Sequence, residues 1–139
     1  MMHHQQILKL QTRGQSLYPI TGAVGEVVNQ SGVQMGLCTL FLRHTSASLL
    51  IQENADPDVL ADLESFLAKL VPEDARSYRH NAEGPDDMPA HIRTALTHTS
   101  ENIPVSDGRL VLGTWQGIYI WEHRRHRQLR EVVVHIAGN

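Results

Sequence analysis

Trp115-Gln116-Gly117-Ile118-Tyr119-Ile120-Trp121-Glu122 runs into the charged segment His123-Arg124-Arg125-His126-Arg127, and a second apolar run, Leu129 to Ile136, follows. Both apolar runs carry the β-branched and aromatic residues that fit a pleated, half-buried surface, so each reads as a strand. The charged segment between them reads as a solvated hairpin tip, with phosphate binding by one of its arginines as the lesser alternative. A period of two places Gln116, Ile118, Ile120 and Glu122 on one face, and Trp115, Gly117, Tyr119 and Trp121 on the other. The aromatic row belongs to a core or a subunit interface. Gln116 and Glu122, at its polar ends, can border a pocket.

Upstream, Ile103–Val105 and Arg109–Leu112 are two further strands, joined through the Asp107-Gly108 turn signal. The middle of the chain is helical. Asp56 is an N-cap with Pro57 at the first helical position, and Val59, Leu60, Leu63, Phe66, Leu67 and Leu70 form one stripe that Pro72 ends. Residues 73–87 form a long polar loop, a feature that compact domains keep mainly for function. A second helix starts near Asp87-Met88-Pro89 and carries Ile92, Ala95 and Leu96. Met35–Leu42 is apolar on both faces and reads as a central strand. Ser48–Gln52 is another strand, residues 5–12 are edge-like, and Thr21 caps a short helix that Gly32 ends. Helices in the middle and antiparallel strands around them predict an α+β fold in one domain, residues 1–139.

The 139 residues suffice for one real core, and 41% hydrophobic with 19% charged residues is the balance of a globular chain. A formal net charge of −3 gives no broad cationic surface for nucleic acid. No apolar run approaches the roughly 20 residues that cross a bilayer, and the N-terminus has no signal-peptide pattern. A cytoplasmic location is expected. Cys38, the one cysteine, sits in an apolar strand and reads as a buried, inert thiol.

Nine histidines are many for this length. His3 and His4 read as a frayed end, His98 as a helix-end residue and His135 as a strand residue. His80 and His91 bracket the loop His80-Asn81-Ala82-Glu83-Gly84-Pro85-Asp86-Asp87-Met88-Pro89-Ala90-His91. Their spacing alone is a weak metal signal. His91, in the first turn of the second helix, meets the positive end of the helix dipole, which favours a neutral ring with a free lone pair. His44, delivered by the Met35–Leu42 strand, serves equally well as a third ligand or as a strand-end histidine satisfied by backbone groups. Asp56 and one of Asp86 or Asp87 read first as helix caps. Glu53, at a strand end, is placed to orient a ligand imidazole. Thr45, Ser46 and Ser48 offer hydroxyls beside helix N-termini that suit a phosphate. No Gly-rich phosphate loop and no Gly-x-Ser-x-Gly elbow are present, which disfavours serine catalysis.

His44-Thr45-Ser46-Ala47-Ser48, Glu53-Asn54-Ala55-Asp56-Pro57, Asp86-Asp87-Met88-Pro89-Ala90-His91 and Leu112-Gly113-Thr114-Trp115-Gln116 together resemble the YjbQ family, from Ile7 to Gly138. The resemblance implies a sandwich-like, largely antiparallel α+β subunit with two or three helices, a homotrimer, and a histidine-lined cleft. Carried over, a divalent metal is held by His44, His80 and His91, with Glu53 beside them. Thr45, Ser46, Asp86, Asp87, Gln116 and Glu122 are its polar, substrate-binding neighbours. The implied activity is that of secondary thiamine-phosphate synthase, joining a pyrimidine diphosphate to a thiazole phosphate. Three imidazoles favour zinc or another transition metal, whereas a diphosphate leaving group favours magnesium. A metal-dependent hydrolase, or a trimer that binds a metal or small ligand without turnover, are the alternatives.

Overall fold

The computed structural model describes residues 1–139. Its elements run β1 (Met2–Thr12), β2 (Ser16–Pro19), α1 (Thr21–Ser31), β3 (Met35–Leu42), β4 (Ala47–Glu53), α2 (Pro57–Leu70), α3 (Asp87–Leu96), β5 (Ser100–Ser106), β6 (Arg109–Leu110), β7 (Gln116–Glu122) and β8 (Gln128–Gly138). All strand pairs are antiparallel, in a five-stranded sheet ordered β1-β8-β3-β5-β6 and a three-stranded sheet ordered β2-β7-β4. The α+β expectation holds.

The strands predicted on either side of the arginine-rich segment form, but they do not pair. β7 lies between β2 and β4, while β8 lies between β1 and β3 in the other sheet. Residues 123–127 are therefore a crossover between sheets and not a hairpin tip. Two layers of packing explain why. Ile118 and Ile120 of β7 face the main core with Leu40 and Leu42 of β3, Val132, Val134 and Ile136 of β8, and the valines of α1. Leu17, Tyr119 and Trp121 face the other way, against Leu67 and Val71 at the end of α2. Burial on both faces, expected of β3, belongs to β7.

β3 is half-exposed. Cys38, Leu40 and Leu42 point into the core, while Met35, Leu37 and Phe41 point outward. Its Gly36 meets Gly138 of β8 in register, and neither position has room for a Cβ against the opposing backbone. At the N-terminus, His3 and His4 are paired with Ala137 and Ile136, so this end is strand and not frayed.

Local chemistry sets most element ends. Asp56 caps α2, accepting from the Asp58 N–H at 2.9 Å, with Pro57 just inside. Phe66 and Leu70 of the predicted stripe remain exposed, because the three-stranded sheet covers only the Leu60, Leu63 and Leu67 side of the helix. Thr21 does not cap α1. Its hydroxyl accepts from the Ile118 N–H at 2.8 Å and so ties the helix to β7. Asp107 and Gly108, at φ of 54° and 72°, form the tight turn between β5 and β6.

Candidate functional site

α3 packs on β4, with Ala90 completely buried and the Thr94 hydroxyl 3.4 Å from the Ala47 carbonyl. That docking brings the start of the helix to the loop after β3. Asp86 stands at the N-cap position, but its side chain caps nothing. It accepts from the Arg124 Nε and the Arg125 N–H, both at 2.9 Å. Asp87 accepts from Arg124 Nη1 at 2.7 Å through Oδ1. Arg124 therefore spans both carboxylates and also donates to the Glu83 carbonyl at 3.0 Å. This arginine is the residue that the hairpin-tip reading missed. The available signal was a pair of adjacent aspartates on a chain with an unassigned Arg-Arg pair.

Asp87 Oδ2 faces both loop histidines, with His80 Nε2 at 2.5 Å and His91 Nε2 at 3.3 Å. The two imidazole nitrogens and the carboxylate oxygen lie within 4.8 Å of one another, close enough that they could hold a metal ion. His91 is the fifth residue of α3, just past the first turn where it was expected. Its orientation is set by a hydrogen bond instead, Nδ1–H donating to the Thr45 carbonyl at 2.9 Å. In the neutral ring this leaves the Nε2 lone pair directed at a carboxylate oxygen. Two acceptors that face each other require a cation between them, either a proton or a metal. Burial by itself would raise the Asp87 carboxyl, but His80, Arg124 and His91 hold it below the usual carboxylate range. Asp86 behaves likewise: burial opposes its charge, and the Arg125 amide with the Arg124 guanidinium more than offset that.

Other predicted residues take different places. His44 lies beside His91 on the wall of a cleft of about 740 Å³, with Arg43, Thr45, Thr94, Thr97 and Thr99. Its Nε2 accepts from the Glu131 N–H at 2.8 Å, which is the strand-end alternative, and Asp87 takes its position beside the loop histidines. Burial and then the Arg130 charge keep its pKa below that of an ordinary imidazole. Ser46 and Glu122 are enclosed with Arg130, which donates to Ser46 Oγ at 2.9 Å and to Glu122 at 2.7 and 2.5 Å. Glu122 also accepts from Thr12 at 2.6 Å and the Arg124 N–H at 3.0 Å, so no oxygen is left for a substrate. Glu53 and Gln116 pair with each other at the far ends of β4 and β7, six residues from the Ala47–Glu122 pair. At about 3.3 Å per residue that is roughly 20 Å along the strands from the Ala47 end, where α3 docks and brings His91 to the Thr45 carbonyl.

The class is that of a small two-sheet α+β domain with an Asp-bridged histidine pair, braced by arginine beside a threonine-lined cleft. The model of the UPF0047 protein YjbQ-like family matches residues 6–139. The chain belongs to that YjbQ/UPF0047 family. It is 63% identical over 135 residues to a UPF0047 protein of Synechocystis, covering 97% of this chain and 92% of that one. It is 39% identical to UPF0047 protein YjbQ of Escherichia coli O157:H7, covering 99% of both. Among solved structures, a YbjQ-like protein of unknown function from Sulfolobus solfataricus superposes with a TM-score of 0.86 at 26% identity over 99% of each chain. A YjbQ/UPF0047 family protein from Clostridium acetobutylicum gives 0.81 at 39% identity, covering 96% of this chain and 98% of that one.

Proposed function

We propose that this chain is an enzyme that acts on a small phosphorylated substrate in the cleft beside His91, with a divalent transition metal held by His80, Asp87 and His91. The observation that carries this reading is the His91 Nε2 lone pair facing Asp87 Oδ2 at 3.3 Å, with Nδ1 locked on the Thr45 carbonyl. Two imidazoles and one carboxylate leave an open coordination position, as catalytic zinc sites do. A metal held by these three residues would supply Lewis acidity toward a phosphoryl oxygen. Arg124 neutralises the outer oxygen of Asp87 and fixes its inner one. The Nδ1 side of His44, the Thr45 and Thr99 hydroxyls and the half-exposed Arg43, which also reaches Glu131, offer donors to an anionic substrate, while Thr94 and Thr97 donate to the carbonyls of Ala90 and Arg93.

Condensation of a pyrimidine diphosphate with a thiazole phosphate, the activity implied by the family resemblance, is the first reaction to assay. Hydrolysis of a phosphate ester is the second reading, and one observation favours it. Asp86 is committed to Arg124 and Arg125, and Asp87 keeps one oxygen beside two imidazoles, a donor set that suits a transition metal better than the oxygen ligands a magnesium diphosphate prefers. The homotrimer is part of the same proposal. Phe41, Leu37, Met35, Ile7 and Leu129 are all exposed on the strands of the five-stranded sheet, a surface suited to association. Light scattering should then give three times 15.6 kDa.

Elemental analysis of untagged protein tests the metal. His80→Ala, Asp87→Asn and His91→Ala should each lose the ion together with turnover, measured by condensation assay and by a phosphatase and esterase panel with zinc, manganese and magnesium. Unchanged metal content in all three variants would overturn the assignment.

A further inference from the structure

On the other side of α3 from His91, Arg93 is 7% exposed and lines a separate cavity of about 380 Å³ with Gln15, Ser16, Glu64, Ser65 and His123. The guanidinium makes one hydrogen bond, from Nη2 to the Val71 carbonyl at 2.9 Å, and its Nε has no acceptor at all. The nearest carboxylates are already engaged, Glu73 by Arg125 and Asp86 by Arg124. Glu122, on the same wall, is consumed by Arg130. A buried guanidinium with no counter-charge is costly to the fold unless something completes it. Buried arginines recognise planar or tetrahedral oxyanions through parallel N–H groups, and serine hydroxyls and amides are the usual supplementary donors.

We propose that this cavity is a binding site for a small oxyanion, the phosphate or carboxylate group of a ligand, with Arg93 as its cationic anchor and Ser65, Ser16 and Gln15 as donors. The site is distinct from the histidine cleft, because Arg93 and His91 leave α3 in different directions and line different cavities. Glu64 on the rim is the one carboxylate there that is not paired. Burial raises its pKa, which lessens its competition with an incoming anion.

The test is titration of the full chain with sodium phosphate, and in a second arm sodium acetate, against sodium chloride at matched ionic strength, read by thermal shift and calorimetry. A saturable stabilisation by phosphate or acetate, retained in His91→Ala and weakened about tenfold or more in Arg93→Gln, is expected. The arm that saturates identifies the anion class. Should Arg93→Gln fail to fold, Glu64→Gln decides, since removing the rival charge should tighten binding severalfold. Equal shifts in chloride, undiminished binding in Arg93→Gln, or unchanged affinity in Glu64→Gln would overturn the proposal. Binding seen only in Glu64→Gln would also overturn it, because Glu64 would then be the natural partner of Arg93.

Discussion

His123 gives the chain a specific acid sensitivity. The ring is 1% exposed, and its Nε2 lies 2.8 Å from the Ser48 hydroxyl, which in turn contacts Thr97. Burial first, and then the Arg93 and Arg130 charges, push its pKa down from 6.5 to about 3. Between those values the unfolded chain holds a proton on this residue that the folded chain refuses, so stability falls as pH drops from about 6.5 toward 3. One proton corresponds to about 1.4 kcal/mol per pH unit. The loss at pH 5 is therefore about 2 kcal/mol, a large share of a typical folding free energy. His123→Gln keeps an amide to bond Ser48 and does not titrate. Urea melts of both proteins at pH 7.5, 6.5 and 5 should show the wild type losing about 2 kcal/mol more than the variant across the lower interval. The other eight histidines are common to both proteins, so their contributions cancel from the difference. Parallel pH dependences would show that the folded chain protonates His123 freely, and the reasoning from burial would fail.

Arg130→Met should destabilise by about 3–5 kcal/mol, because it leaves the completely buried Glu122 without its counter-charge. Adding Glu122→Gln should restore part of that loss, and urea titration of both variants checks it. Gly36→Ala should lower stability by at least about 1–3 kcal/mol, since its methyl would strike the Ala137 carbonyl where β3 and β8 close on each other. Cys38, fully buried and with its thiol pushed up to about 11, should resist a thiol reagent at pH 7.5 and react at once in urea.

Periodicity located most strands because alternation of side chains is a local property. It placed β3 within its observed bounds, and the Asp56-Pro57 and Asp107-Gly108 signals located α2 and the β5–β6 turn through backbone preferences that act over a few residues. Which sheet a strand joins is decided by both of its faces at once, and the two-sided burial of β7 was legible only in retrospect, from Tyr119 and Trp121 opposite Ile118 and Ile120. The candidate site divided in the same way. His80 and His91 bracket one loop, so their meeting was legible, whereas Asp87 between them reads in sequence as a cap or a substrate neighbour and not as their shared partner. Arg124 joins them from 37 residues away, across a crossover that looked like a hairpin tip. His44 and Glu122 lost their expected roles to hydrogen bonds with Glu131, Arg130 and Thr12 that form only when the sheets close.

The strand order β1-β8-β3 constrains how this protein can be made. The first strand pairs along its whole length with the last, and β3 needs that same last strand as its other neighbour. During translation, at about 5–20 residues per second, β1 and β3 wait on the order of ten seconds with an open gap between them. Pairings this distant in sequence also make folding slow relative to a helical domain of the same size. A stalled or truncated chain would lack the strand that joins β1 to the rest of the larger sheet and expose the inner edges of β1 and β3. Its yield in the cell should therefore depend strongly on chaperones that shield those edges until Gly138 emerges.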